Sequence, residues 1–311
     1  MADATLSRIG QANGAGATDA LWLKLFGGEV MGAFNLANVM GDKHRVRTIS
    51  GGKSAQFPAI GKTSAGYHTP GTEIVGTPIK QNERVITIDD LLLASVYVAE
   101  IDELKNHYDV RSEYSRQLGE ALADHYDRNV LRNFVLAARA SATVTGEDGG
   151  GSATNAAYRT DAAVLAGGIF AAAQNFDEKG IPESERYIAI KPAQYYLAAQ
   201  KTDLINTLWG GNGSYADGKI MTVGGVSLLK TTKLPGSDDS TNTGIPSQYR
   251  ASFVNTAAVA FHPWAVGTVK LLDMKTESEW DMRRQATLML AKYAVGHGIL
   301  RPEAAFELKV A

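Results

Sequence analysis

The chain has 311 residues, 44% hydrophobic and 21% charged, with a formal net charge of -2 and no cysteine. That composition supplies a core and excludes wholesale disorder. Near-neutral charge argues against a chain devoted to gripping nucleic acid, and the lack of cysteine excludes disulfides, thiol catalysis and thiolate metal sites.

The opening residues, MADATLSRIG, lack the charged start and apolar run of a signal peptide. No apolar stretch approaches the roughly 20 residues that span a bilayer, so a soluble protein without membrane partners is expected. Residues 1–20 are small, polar and rich in Gly and Ala, the composition of an arm that packs only on a partner. From Ala20 to Val39, Leu21, Leu25, Val30, Phe34 and Val39 recur at roughly helical spacing, with a break or kink expected at Gly27-Gly28.

Between 45 and 88 the pattern changes to β-branched and apolar alternation punctuated by Gly and Pro. It predicts two long strands of an extended hairpin that turns near Thr69-Pro70-Gly71. The tip reads as poor in apolar residues, and nothing else in the chain is evidently built to cover the ribbon. A lone two-stranded ribbon is marginal in water. It therefore calls for a neighbour, which is the first sign of an assembly protein.

Asp89 to Val98 reads as a buried strand, and Glu100 to Ala140 as a long helix with a possible break at Asp109. Some 30 helical residues would span roughly 45 Å. Thr143 to Ala156 is low-complexity and predicts a surface loop. Then come a helix over Asp161–Phe176 capped by Asp161, a strand over Arg186–Ile190, and a helix over Ala193–Lys201. A strand pair follows around Gly224-Gly225, then a polar loop over 235–249. Strands are predicted over Ala251–Phe261 and Ala265–Asp273 and within Gln285–Val310. This order predicts an α+β fold with two lobes.

Motifs that would carry chemistry are incomplete. Gly52-Lys53-Ser54 resembles the tail of a phosphate-binding loop, but Arg47 stands where its first glycine belongs and strand-like sequence follows. Gly211-Asn212-Gly213-Ser214-Tyr215-Ala216 lacks the flanking strand and helix of a dinucleotide site. The six histidines are scattered with no metal-ligand spacing, and His262 and His297 read as turn residues. No cofactor, metal or catalytic group is expected.

Charge is segregated. Residues 99–130 hold eight acids, Glu113, Glu120, Asp124 and Asp127 among them, against four bases. Residues 41–84 hold seven bases, Arg45, Arg47, Lys53, Lys62 and Arg84 among them, against three acids. Two solvated faces would explain this. So would a basic ribbon lying over the acidic helix of a second copy.

Five collinear blocks, LKLFGGEVMGAF (23–34), SGGKSAQFPAIGKTSAGYHTPG (50–71), RVITIDDLLLASVYVAEIDELKNHYDVRSEYSRQLGEALA (84–123), AVGTVKLLDM (265–274) and LAKYAVGHGILRPEAA (290–305), are similar to the major capsid proteins of short-tailed, T-seven-like double-stranded DNA phages. The resemblance implies a Hong Kong 97-type capsid fold. It divides the chain into an N-terminal arm (1–45), an extended loop (46–86) and a peripheral domain with a spine helix at roughly 110–139 (87–159). An axial domain (160–255) and returning strands of the peripheral domain (256–311) complete it. Subunit contacts are expected at Arg45, Arg47, Lys53, Phe57, Lys62, Tyr67, Arg84, Glu113, Glu120 and Asp124, with Trp209 and Tyr215 near the symmetry axes.

The resemblance further implies pentamers and hexamers of an icosahedral shell, a separate scaffolding protein, a portal protein, and packaged DNA held weakly by the inner wall. Assembly would take place in the host cytoplasm. Some members of the fold join subunits through lysine–asparagine bonds, but nothing marks Lys53 or Lys62 for that, so non-covalent interfaces above roughly 1,000 Å² are expected. The alternatives are an encapsulin-like nanocompartment shell, an enzyme with a site in 160–255, and a DNA-binding protein. The contents of purified particles would separate the two shells.

Overall fold

A computed structural model describes residues 30–34, 37–63, 65–76, 78–99, 110–201 and 222–311. Four strands, β1 (Arg45–Thr48), β2 (Ser54–Ile60), β3 (Gln81–Thr87) and β4 (Leu92–Ala99), precede the helix α1 (Val110–Arg139). Then follow β5 (Gly151–Thr154), α2 (Ala162–Glu178), β6 (Tyr187–Ile190), α3 (Pro192–Ala199), β7 (Thr222–Val223) and β8 (Val226–Lys230). Four strands close the chain: β9 (Thr256–Phe261), β10 (Val266–Asp281), β11 (Ala286–Ile299) and β12 (Ala305–Lys309). Residues 1–29 of the expected arm and of the Ala20–Val39 helix, and the 204–218 glycine segment, lie outside the described residues.

The strands form a six-stranded sheet, β5-β12-β9-β6-β8-β7, a four-stranded sheet, β1-β10-β11-β4, and the β2-β3 ribbon. The chain divides into two compact units. One comprises the described residues of 1–41, 90–127 and 272–295, and the other those of 42–89, 128–271 and 296–311.

In the first unit, β4 pairs antiparallel with β11 from Leu92↔Tyr293 to Ala99↔Ala286. The β4 residues alternate between half-buried and exposed, so this strand covers one face only and is not the buried strand expected. Phe34, Tyr126 and Tyr293 meet edge to face with ring centroids 6.0–6.3 Å apart. The Tyr293 hydroxyl donates to the Leu122 carbonyl at 3.2 Å. Asp127 turns from the acidic count to a structural role, accepting from the backbone N–H groups of Val39 at 2.9 Å and Met40 at 3.1 Å.

The second unit holds the larger core. Every residue of β9 is buried, and Phe261 stacks on Phe134 of α1 at 3.9 Å. Leu165, Ile169 and Phe176 line the buried face of α2. Asp161 caps that helix as predicted, accepting from the Ala163 N–H at 2.8 Å. Gly224 (φ 57°) and Gly225 (φ 75°) form the two-residue turn between β7 and β8, where positive φ at both positions requires glycine.

One expectation fails here. The stretch 143–156 is not simply a surface loop, because β5 runs parallel to β12 from Gly151↔Phe306 to Thr154↔Lys309. Its glycines are a packing device: a Cβ on Gly150 would overlap the carbonyls of Ala137 and Ala138. β9 and β12 belong to the same sheet as β6 and β8, with β9 pairing to β6 from Phe261↔Tyr187 to Ala258↔Ile190. Strand partners so distant in sequence leave no trace in local periodicity.

Candidate assembly surface

The ribbon pairs antiparallel from Ser54↔Thr87 to Ile60↔Gln81. Alternation puts Ala55 and Ile86 inward, where they pack on Val269 with Ile49, Phe57, Ile88 and Leu300 around them. Gly298 lets Ile86 in, since a Cβ there would lie 2.7 Å from Ile86 Cγ1. The 143–147 segment props the ribbon: Asn82 Nδ2 donates to the Thr143 carbonyl at 2.6 Å, and Arg84 Nε to Thr143 Oγ1 at 3.2 Å. The Lys62 N–H donates to Glu147 Oε1 at 2.7 Å. The ribbon base is thus covered by its own chain, contrary to expectation.

The far end is different. The strands are seven residues each, shorter than expected, and none of the described residues from 61 to 80 is in a strand. The chain reverses at Thr69–Thr72, where the Thr72 N–H and hydroxyl both donate to the Thr69 carbonyl, at 3.2 and 2.7 Å, and Gly71 takes φ 93°. The tip was expected to be poor in apolar residues, yet Tyr67 (109%), Ile74 (80%) and Val75 (81%) stand almost wholly in solvent. Isolated exposed apolar residues are ordinary, whereas here three lie on one loop.

The basic residues expected at subunit contacts fall around the ribbon base. Arg45 and Arg47 belong to β1, which pairs parallel with β10 from Arg45↔Gly267 to Thr48↔Lys270, so the ribbon proper starts at β2 and not at 46. Arg47 Nη1 donates to the Gln56 carbonyl at 3.2 Å, and its guanidinium lies 5.6 Å from the Phe57 ring centroid. Lys53 is exposed just before β2, after a turn in which Gly52 takes φ 110°. No helix follows, so the Gly-Lys-Ser string is a turn into a strand.

On α1, Arg116 reaches Glu113 at 2.5 Å and Glu120 at 2.6 Å, one guanidinium serving both acids. That hydrogen bond holds the Glu113 carboxyl below its ordinary range. Two of the three acids expected to face a neighbour's ribbon are therefore partly neutralised at home, and Asp124 is half-buried on the same helix. Trp209 and Tyr215 lie outside the described residues.

Sequence reasoning missed a groove of about 330 Å³ beside the ribbon base, walled by Phe57, Trp264 and Leu300 and lined by Arg45, Arg84 and Arg301. The Arg301 guanidinium lies 5.2 Å from the Trp264 ring centroid. The signal available was the pair of Pro-flanked turns His262-Pro263-Trp264 and Arg301-Pro302, which periodicity treats as punctuation. His262 does act as a turn residue, its Nδ1 accepting from the Trp264 N–H at 3.2 Å. His297 does not. It lies inside β11, buried, sharing a 2.7 Å hydrogen bond with Thr268 Oγ1, and burial aided by nearby His44 pulls its pKa down to about 3. Among the described residues no three His, Asp or Glu side chains gather to hold a metal ion, and no helix is long and apolar enough to cross a membrane.

Known proteins match along the whole length. Residues 56–309 fit the family model described as Gp10A-like major capsid protein. The major capsid protein of Escherichia phage T7 is 36% identical over 94% of this chain and 92% of its own length. The capsid structure of the cyanophage P-SCSP1u superposes with a TM-score of 0.81 at 42% identity, covering 100% of this chain and 99% of that one. The mature capsid of bacteriophage PhiM1, at 19% identity and a TM-score of 0.74 over 88% of this chain and 87% of that one, shares the fold. The architecture is the α+β, Hong Kong 97-type capsid fold expected from the sequence blocks. Relatives this similar in sequence leave the nanocompartment alternative without support. The chain belongs to the Gp10A-like family of major capsid proteins.

Proposed function

We propose that the chain is the wall of a phage head, assembling through the ribbon into pentamers and hexamers of an icosahedral shell around double-stranded DNA. The observation that carries this reading is the ribbon. It is anchored firmly at its base and offers Tyr67, Ile74 and Val75 to solvent at its tip. A projecting element that contacts a different surface on the next copy makes a heterologous interface, and such interfaces close into rings when the rotation allows.

The ribbon's outer cations, Lys53 and Lys62 with Arg47, then run over a neighbour's α1 and its acids Glu113, Glu120 and Asp124. Because Arg116 already serves two of those acids, this contact steers more than it binds. The 160–255 segment supplies the lobe near the five- and six-fold axes, with Trp209 and Tyr215 closest to them. A separate scaffolding protein guides closure in the host cytoplasm, a portal protein occupies one vertex, and the inner wall, built from a chain of near-neutral net charge, touches DNA weakly and without reading sequence.

Electron microscopy of the chain expressed with and without its scaffolding partner tests the reading. Closed particles of uniform diameter are expected; a chain that stays monomeric under both conditions would contradict it. Reversing Lys53 and Lys62 to Glu should reduce particle yield while circular dichroism of the subunit stays unchanged, and undiminished yield would remove the ribbon–helix contact.

A further inference from the structure

The tip of the ribbon and the groove beside its base are chemically complementary, and we propose that Glu73-Ile74-Val75 of one copy seats in the arginine-lined groove of the next. The inference rests on the assembly reading above and adds the site at which the tip lands.

Three arginines, Arg45, Arg84 and Arg301, line the groove. No carboxylate among the described residues pairs with any of them, and Arg84 spends one N–H on a neutral hydroxyl, that of Thr143. A planar guanidinium is best satisfied by a carboxylate, which it meets through two parallel hydrogen bonds. The rest of the wall is Phe57, Trp264 and Leu300. A phosphate would answer the arginines and leave these surfaces wet, so the site calls for a segment carrying an acid next to apolar side chains.

The ribbon tip is such a segment. Glu73 is exposed and is followed directly by Ile74 and Val75, whose side chains are almost wholly in solvent. Their exposure means that they do not fill the groove of their own subunit. A groove of this volume has room for a few side chains. Tip and groove are different surfaces of one chain, so their union propagates head to tail and closes as a ring when the rotation allows.

The chain has no cysteine, which makes cross-linking clean. Ala59, a small half-exposed residue of β2 lining the groove, and exposed Val75 are each replaced by Cys, singly and together, in the full chain. Particles are treated with a short bis-maleimide and run on denaturing gels. Particles containing both single variants, A59C and V75C, should give covalent dimers, the double variant a ladder up to five and six chains, and either single variant alone only monomers. Particles that form normally yet yield no interchain product would overturn the proposal while leaving the assembly reading intact. Failure of the unaltered chain to form particles would instead sink the assembly reading.

Charge reversal gives a second measure that needs no cross-link. Glu73→Arg and Arg301→Glu should each lower particle yield at least ten-fold, and their combination should restore it. Normal yield from Glu73→Arg overturns the proposal. So does an Arg301→Glu chain that forms shells at full yield but retains less DNA, because the groove would then be a phosphate site.

Discussion

The buried phenol of Tyr249 donates to Asp89 Oδ2 across 2.6 Å, linking the 235–249 segment to the end of the ribbon. The Tyr249 hydroxyl oxygen in turn accepts from the His297 N–H at 2.8 Å. Burial and the adjacent carboxylate push the phenol's pKa far above its ordinary value, so it remains a donor at any working pH. Tyr249→Phe keeps the ring and deletes both bonds. A loss of about 1–3 kcal/mol is expected, the usual cost of leaving buried polar groups without this partner. Urea unfolding of the unassembled subunit measures it, and an unchanged midpoint would refute the role.

Stability should fall as pH falls through the histidine range. The imidazole of His297 is fully enclosed by Thr268, Tyr249 and His44, and it titrates near 3 in the fold against 6.5 when free. The unfolded chain therefore binds the proton first. The stabilisation is complete above about pH 6.5 and is lost progressively toward pH 3, at about 1.4 kcal/mol per pH unit. His262, also pulled down by burial, adds to the same trend. His297→Gln should flatten the slope between pH 7 and pH 5. Equal slopes in the two proteins would show that this imidazole is not responsible.

Adjacent glycines of α2 should respond with opposite sign. A Cβ on Gly167 meets nothing within 4 Å, so Gly167→Ala should stabilise the helix by about 0.5–1 kcal/mol. A Cβ on Gly168 would lie 2.7 Å from the Tyr158 ring and 3.1 Å from Leu308, so Gly168→Ala should destabilise by about 1–3 kcal/mol. Thermal unfolding of the two variants side by side checks the pair; shifts of the same sign would contradict the packing described.

Arg139 and Glu307 form a two-pronged ion pair, Nε to Oε2 and Nη2 to Oε1, both at 2.7 Å, with the carboxylate wholly buried. Thr256 Oγ1 supplies a further hydrogen bond at 2.7 Å. Arg139→Ala leaves the buried carboxylate only the more distant cation of Lys309, at 3.6 Å, and should cost about 3 kcal/mol. Expression at reduced temperature followed by denaturant titration would detect it. A loss under 1 kcal/mol would show that the pair is dispensable.

What the sequence disclosed follows the physics of each signal. The α2 cap at Asp161 and the Gly224-Gly225 turn were readable because each depends on neighbours a few residues away. The ribbon was readable from its alternation, and so was the reversal at Thr69–Thr72. The parallel pairing of β5 with β12 was hidden because strands about 150 residues apart share no local pattern. The glycine run at 149–151 resembled a linker in composition, although close backbone approach demands it. The groove was hidden for a related reason. Arg45, Arg84 and Arg301 meet only after β1 and the ribbon base fold against the turn after β11. Counting charges by segment found the basic ribbon but could not show that Arg116 already serves Glu113 and Glu120.

The most direct test of the central claim, that this chain closes a shell by passing its ribbon tip to the next copy, is a side-chain-resolution cryo-electron microscopy reconstruction of the particles. The account predicts density for Ile74 and Val75 buried against the neighbouring subunit, with Glu73 within ion-pair distance of that neighbour's Arg84 or Arg301. A tip that stands free in solvent, or folds back on its own subunit, within a closed shell would contradict it.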